Sequence, residues 1–337
     1  MDTKLPPYAT FGQRVWFYGF RVLCGLIFFF LIAPILIIIP LSFNAENFFT
    51  FTPGMLALDP EAYSLQHYEE FFGQTGNPWR GLLIGLVIGA VITVVLKLWK
   101  GNLNLFPILI GAILGVIVGK LWGLEGEEWM TPLRNSLAIA PVATMLSVGF
   151  GTLAAIGLSQ THVPFKGAIM AILISPMIVP LIISAAGMYF FYSRIGLQGT
   201  YWGVVLAHAA LGIPFVIITV TATLVGFDRS LTRAAANLGA NPVTTFFRIQ
   251  MPLILPGVIS GGLFAFITSF DEVVVVIFVG SAGQQTLPWQ MFTGLREQIS
   301  PVILAAATIL VTISIILLTV VELLRRRSER LRGLSPS

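Results

Sequence analysis

Two adjacent carboxylates, Asp271 and Glu272, interrupt an apolar stretch that runs from position 254 to position 280. A carboxylate at the centre of a membrane-spanning helix costs about 2.5–3.5 kcal/mol on insertion scales, so it usually faces a cavity or a partner. Adjacent residues on an α-helix point about 100° apart, so the two carboxylates cannot face one site. We therefore expect at least one of them to line a pathway and to attract a cationic solute.

Neighbouring aromatic and polar residues extend this candidate pathway. Phe264, Thr268 and Asp271 share one stripe of the predicted helix. The ring of Phe264 or Phe270 would add a surface that attracts cations. The alternative is a structural role, in which a carboxylate pairs with a basic side chain elsewhere in the chain: Arg194, Arg296 or His208.

Few other residues suggest chemistry. The histidines at positions 67, 162 and 208 are far apart and lack metal-ligand spacing. His208 lies in an apolar stretch, where we expect a packed or hydrogen-bonded interior group. The phosphate-binding pattern G-x-x-x-x-G-K-[ST] is absent, since the similar stretch at 115–121 has three residues between its glycines and Leu after Lys. The sequence therefore predicts no catalytic site, no metal site and no ATP site in this chain.

Membrane helices must hold these residues. Of the 337 residues, 56% are hydrophobic and only 10% are charged, whereas soluble domains carry about 25% charged residues. This composition excludes a cytosolic enzyme and a DNA-binding domain, and the single cysteine, Cys24, excludes an intrachain disulfide. A spanning helix needs about 20 apolar residues. Eight spans are predicted: 20–42, 81–98, 105–122, 132–159, 167–192, 201–226, 254–280 and 301–323.

The distribution of Lys and Arg predicts the orientation of the chain. With eight crossings, both termini and fourteen of the 19 Lys and Arg residues fall on one side of the membrane. Cytoplasmic loops carry the excess of positive charge in membrane proteins. Both termini are therefore predicted to be cytoplasmic.

The segment of residues 227–257, on that same side, predicts a short surface helix. Ser230 can cap a helix over Arg229–Leu238, which three alanines favour. Gly239 suits the C-terminal end of this helix, because a left-handed conformation costs little without a Cβ. A turn at Asn241 would start a second helical stretch. Such a helix at the membrane face could dock into a groove of a soluble partner.

This segment resembles the EAA loop of the membrane subunits of binding-protein-dependent ABC importers. The family pattern is Glu-Ala-Ala, three residues, Gly, nine residues, Ile, one residue, Leu-Pro. The matching residues are Ala234, Ala235, Gly239, Ile249 and Pro252. Arg233 stands where the family has Glu, and Met251 replaces Leu. The resemblance implies that this segment, including Ala240, couples the chain to an ATPase, and that Arg233 reverses a charge at that contact.

Further stretches are similar to the permeases of polyamine importers, which carry spermidine and putrescine: Tyr63–Tyr68, Arg134–Leu137, Ser269–Val274, Thr286–Pro288 and Ser300–Pro301. The resemblance implies a permease of the bacterial inner membrane that performs no bond chemistry itself. ATP and Mg would bind to two cytoplasmic ATPase subunits. The other implied partners are a second, similar permease and a periplasmic solute-binding protein.

Two alternatives remain open. The first is an ABC importer for another small solute. The second is an ion-coupled secondary transporter, whose carboxylates would carry protons, although such a transporter has no use for an EAA-like loop.

The predicted organisation has four parts. Residues 1–80 hold the N-terminal cytoplasmic segment, the first span and an outer loop, and residues 81–124 form an inserted hairpin of two spans. Residues 125–324 form the permease core, and residues 325–337 form a basic cytoplasmic tail. Glycines recur every fourth residue in the hairpin, which favours close helix packing: Gly81, Gly85, Gly89, Gly111, Gly115 and Gly119. We expect a self-packed hairpin beside a six-helix core, the alternative being a generic apolar insertion.

Overall fold

The computed structural model describes residues 10–72, 128–160, 162–228, 230–297 and 300–331. Across these residues the chain is helical, and the β pairing there is limited to one bridge between Asn44 and Tyr63. The predicted all-α class is therefore confirmed. The α-helices are α1 Phe11–Leu41, α2 Pro53–Leu56, α3 Gln66–Phe72, α4 Met130–Ser159, α5 Lys166–Ile178, α6 Leu181–Ile195, α7 Tyr201–Val225, α8 Ser230–Asn237, α9 Pro242–Thr245, α10 Met251–Phe270, α11 Val274–Val279, α12 Leu287–Glu297 and α13 Val302–Leu331.

Several helices are long and apolar enough to cross a membrane. They are α1, α4, α7 and the continuous helix Pro242–Phe270, and the bent pair of α5 and α6 also qualifies as a whole. The hairpin predicted at 81–124 lies outside the described residues. Five of the eight predicted spans thus have a counterpart, one of them as a bent pair, and the apolar part of α13, Val302–Ile316, is a shorter counterpart of a sixth.

The described residues fall into two compact units, one drawn from Met1–Glu70 and Ser300–Ile309 and one drawn from Phe71–Ile299 and Leu310–Ser337. The first unit contains α1, whose most apolar window is 0% buried within the protein. The buried side chain of Asn44 holds the loop that follows α1. Its Nδ2 donates to the carbonyls of Phe48 and Thr50 at 3.1 and 3.2 Å.

The second unit is built on close contact between α7 and α10. A Cβ added to Gly212 would lie 2.9 Å from the Cβ of Ala265, and one added to Gly257 would lie 2.8 Å from Thr223 Oγ1. Small residues allow this approach, which membrane helices use because lipid removes the hydrophobic drive between them. Positions rise along α7 as they fall along α10, so the two helices are antiparallel.

The contacts between α4 and α7 run in the same direction along both helices. Tyr201 Oη donates to the carbonyl of Ala138, and Ser147 Oγ donates to the carbonyl of Ala209, each at 3.0 Å. α4 and α7 are therefore parallel. We call the side that holds residues 226–241, between α7 and α10, the loop side, and the opposite side the far side. The starts of α4 and α7 and the end of α10 lie on the far side.

The predicted span 167–192 is not one straight helix. It is divided into α5 and α6, which meet at an angle of 103°. Pro180 explains the break, because proline has no N–H to donate and disfavours helical backbone in the residue before it. Val179 accordingly has extended backbone, with φ −68° and ψ 138°. Since α4 and α7 are parallel, the α5–α6 pair must return the chain from the loop side to the far side.

Candidate functional site

The coupling segment, residues 227–257, begins with a capped short helix. Asp228 accepts hydrogen bonds from the backbone N–H and the hydroxyl of Ser230, at 2.8 and 2.7 Å. These bonds hold the pKa of the exposed Asp228 carboxyl below its usual range. Ser230 was expected to cap this helix, but it is the first helical residue of α8 and donates to the carboxylate of Asp228 instead.

The end of α8 confirms the conformation predicted for Gly239. Its φ is +81°, and its N–H donates to the carbonyl of Ala236 at 3.0 Å. The N–H of Ala240 donates to the carbonyl of Ala235, also at 3.0 Å. These two bonds form the left-handed closure that satisfies the last carbonyls of a helix. Apart from the two chain neighbours, no described group lies within 4 Å of an added Cβ at Gly239, so the backbone conformation is what disfavours other residues there.

α8 packs against the rest of the described protein through the small residue Ala235. Ala235 is buried, whereas Arg233 and Ala234 are exposed. Large apolar side chains around α8 are also exposed: Leu231, Leu238, Val243 and Phe247. An exposed apolar rim around a charged, small-residue helix suits a contact with a soluble protein.

Within the coupling segment, a distorted turn joins α9 to α10. Phe246–Gln250 is a π-helix, and the N–H of Met251 donates to the carbonyl of Phe246. Pro252 explains the wide turn, because its ring would clash with the carbonyl four residues earlier in a regular α-helix. Ile249 is half-buried, whereas Pro252 is exposed. Both residues belong to the continuous helix Pro242–Phe270, which runs from the loop side toward the far side.

The two carboxylates do not lie within a helix, and here the sequence-based prediction was wrong. α10 ends at Phe270 and α11 begins at Val274, so Asp271–Val273 forms a break near the far side. Glu272 explains the new start, because its Oε1 accepts the N–H of Val275 at 2.7 Å. An acceptor at this position satisfies a backbone donor that the first turn of a helix leaves free.

The break separates the environments of the two acids. Glu272 is only 5% exposed, whereas Asp271 is exposed. Within the described residues neither carboxylate forms an ion pair with Arg194, Arg296 or His208, which were the structural alternatives. Of the two acids, only Asp271 is thus accessible to a solute.

The two aromatic candidates for the pathway, Phe264 and Phe270, differ in how exposed their rings are. Phe264 is 50% exposed and stacks on Phe215, with ring centroids 6.0 Å apart. Phe270 is buried and stacks on Phe266, so its ring faces are not open to a solute. Thr268, one helical turn after Phe264, is half-buried. The predicted stripe of Phe264 and Thr268 therefore exists on α10, but Asp271 follows the last helical residue.

A far-side network joins two stretches that sequence similarity had singled out separately. Asn135 Nδ2 donates to the carbonyls of Gly283 and Gln285 at 3.1 and 2.8 Å. Ser136 Oγ accepts the N–H of Leu287 at 2.9 Å. The start of α4 is thereby bound to the connection between α11 and α12. Residue spacing alone carries no signal for this network, because its partners are about 150 positions apart.

Comparison with known proteins identifies the family. The model of a family described as "Binding-protein-dependent transport system inner membrane component" matches residues 112–331. The spermidine/putrescine transport system permease protein PotC of Haemophilus influenzae is 34% identical over 195 residues, which cover 58% of this chain and 76% of that protein. The putrescine transport system permease protein PotI of Escherichia coli is 32% identical over 198 residues, with coverages of 56% and 69%.

A solved structure supports the same fold. A bacterial ABC transporter involved in the import of the acidic polysaccharide alginate matches with a TM-score of 0.60 and 15% identity, over 96% of this chain and 99% of that one. The family match itself covers more than half of the chain. The chain therefore belongs to the inner membrane components of binding-protein-dependent transport systems, and it is a permease subunit of an ABC importer rather than an enzyme.

Proposed function

We propose that this permease carries polyamines, small aliphatic cations such as spermidine and putrescine, and that Asp271 recognises their charge. The observation that carries the proposal is the position of Asp271, exposed at the break between α10 and α11 and without an ion pair in the described part of the chain. An exposed carboxylate without a fixed counter-charge attracts cations. A passing polyamine supplies that charge. The names of the relatives PotC and PotI support the same class of solute.

Phe264 and Thr268 complete the proposed pathway. The half-exposed ring of Phe264 offers a face to an alkylammonium group, and Thr268 offers a hydroxyl one turn further along α10. These contacts are individually weak, which suits a permease that must release what it binds. Glu272 is left out of the pathway, because its carboxylate is buried and is engaged at the start of α11.

The loop side is the proposed cytoplasmic face. Two ATPase subunits, which bind ATP and Mg, dock at α8, where Arg233 and Ala234 are exposed. A second permease subunit completes the membrane part, and an extracytoplasmic solute-binding protein delivers the solute to the far side. Both chain termini are cytoplasmic in this arrangement. The ion-coupled secondary transporter is not retained, because the chain belongs to a binding-protein-dependent family.

Two neutral variants test the role of Asp271. Asp271→Asn keeps the size of the side chain and removes its charge, and it should lower spermidine uptake by the reconstituted importer about tenfold, equivalent to about 1.4 kcal/mol. Glu272→Gln is the matched control, because an amide oxygen can still accept the N–H of Val275. Its uptake should stay within about twofold of the original protein.

Three outcomes would contradict parts of the proposal. Normal uptake by Asp271→Asn, or a larger loss in Glu272→Gln, would overturn the assignment of Asp271. Uptake restricted to neutral or anionic solutes would replace the polyamine with another small solute, while the membership of the family would stand.

A further inference from the structure

His208 joins α7 to the last turn of α10 through a buried hydrogen bond. Its Nδ1 lies 2.8 Å from Ser269 Oγ, and the two side chains are 1% and 4% exposed. Ser269 is the second-last residue of α10 and lies two positions before Asp271. The bond therefore holds the part of α10 that immediately precedes the exposed carboxylate.

The second ring nitrogen of His208, Nε2, is buried and has no hydrogen-bond partner among the residues that the structure describes. A buried polar atom without a partner is unfavourable, so His208 is a costly residue if it serves only to fill space. The neighbouring residue Ala207 and, one turn on, Leu211 belong to an apolar cluster with Val275 and Val276 of α11. An apolar side chain of similar size would suit these surroundings better.

The helices on which this bond depends cannot slide easily. α7 and α10 meet one turn after His208 at Gly212, where a Cβ would lie 2.9 Å from Ala265. Ser269 is one turn after Ala265. The close contact at Ala265 and the hydrogen bond at Ser269 therefore lie next to each other along α10. Packed helices have few alternative arrangements, which makes such a bond an effective constraint on position.

Asp271 is thus held between two anchors. On one side the His208–Ser269 bond fixes the end of α10, and on the other side Glu272 fixes the start of α11 through the N–H of Val275. The non-helical stretch between these anchors is only three residues long. A carboxylate on so short a stretch has little freedom to move away from a solute.

We propose that His208 is a positioning residue for transport, which acts through Ser269 to place Asp271 in the pathway. The inference rests on the proposed function, since it gives Asp271 a role in recognition. His208 itself does not touch the solute, because its side chain is buried and its hydrogen bond within the described residues is to Ser269. A precisely held side chain loses much of its effect when its support is removed.

The experiment measures the maximal rate of spermidine uptake by the complete importer in proteoliposomes. His208→Leu and Ser269→Ala each remove the bond and should each lower this rate about fivefold, and the double variant should be no slower than either alone, because all three lack the same bond. His208→Asn should restore most of the rate, since the asparagine amide can occupy the place of Nδ1.

A matched control separates positioning from loss of packing. Ser147→Ala also removes a buried hydroxyl whose hydrogen bond reaches α7, at Ala209 beside His208. This variant should transport at close to the original rate. An equal loss in Ser147→Ala would show that any loosening of the core slows transport, and it would overturn the inference.

The decisive comparison uses the Asp271→Asn background. If His208 acts through Asp271, Ser269→Ala should have no further effect once the charge is absent, whereas a general structural role predicts a further fivefold loss. The inference would be overturned if Ser269→Ala took up spermidine at the rate of the original protein. It would also be overturned if the losses from Ser269→Ala and Asp271→Asn were additive in the double variant. Normal transport by Asp271→Asn alone would overturn the proposed function as well. If His208→Leu does not assemble, Ser269→Ala still decides between these outcomes.

Discussion

The coupling segment and the break at Asp271–Val273 lie on opposite sides of the second unit and are held by different kinds of contact. The bonds that start and end α8 join residues no more than five positions apart. At the break, His208 meets Ser269 across 61 positions, and in the far-side network Asn135 meets Gly283 across 148. The loop side therefore presents a shape made locally, whereas the far side depends on how the helices pack.

This contrast fits two different tasks. A locally closed helix keeps its shape while it moves with a partner, because its hydrogen bonds move with it. A recognition group must instead keep its position relative to several helices. Of the two anchors beside Asp271, the Glu272–Val275 bond is local, but the His208–Ser269 bond joins distant parts of the chain. Three variants probe this contrast, beyond those at Asp271 and His208.

The largest effect is expected at Gly239. With φ +81°, a residue with a Cβ is strained by about 1–2 kcal/mol, and a β-branched residue by more. Gly239→Val should reduce solute-stimulated ATPase activity of the importer about tenfold while the protein still inserts. Gly226→Val is the control, because Gly226 also faces open space but has φ −90°. Equal ATPase activities of the two variants would show that the left-handed backbone conformation of Gly239 is not needed for coupling.

A smaller effect is expected in the far-side network. Asn135→Ala leaves the carbonyls of Gly283 and Gln285 without this donor, and it should lower the free energy of unfolding by about 1 kcal/mol, because the two bonds are partly open to solvent. Thermal unfolding in detergent measures the change. Asn237→Ala, at the exposed end of α8, is the matched control and should change the unfolding midpoint little. A larger loss of stability in Asn237→Ala than in Asn135→Ala would contradict the contrast between the two sides.

The smallest effect concerns pH at the start of α8. The hydrogen bonds from Ser230 lower the pKa of Asp228, so the carboxylate supports the helix above the usual carboxyl pKa. This support is lost only as the pH falls through the lowered value. The ratio of solute-stimulated ATPase activity between the original protein and Asp228→Ala should therefore stay constant between about pH 6 and pH 8. A ratio that changes across this range would show that Asp228 titrates there.

Some corrections to the sequence-based predictions share one cause. The span predicted at 167–192 is broken at Pro180, and the span predicted at 254–280 is broken after Phe270. Hydropathy detects both segments, because apolar composition persists through a break. Pro180 is visible as a signal in the sequence. The second break has no proline to mark it, and Glu272 was expected inside the helix rather than as the acceptor at the start of a new one.

The sequence by itself determined the membrane class, most of the described spans and the closure of α8 at Gly239. These features follow from composition, from runs of about 20 apolar residues and from hydrogen bonds between near neighbours. Only the tertiary structure decided which carboxylate is accessible. Asp271 and Glu272 are adjacent and chemically alike, so local pattern cannot rank them. The burial of Glu272 and the bond from His208 to Ser269 arise where α7, α10 and α11 meet, and those contacts leave Asp271 exposed.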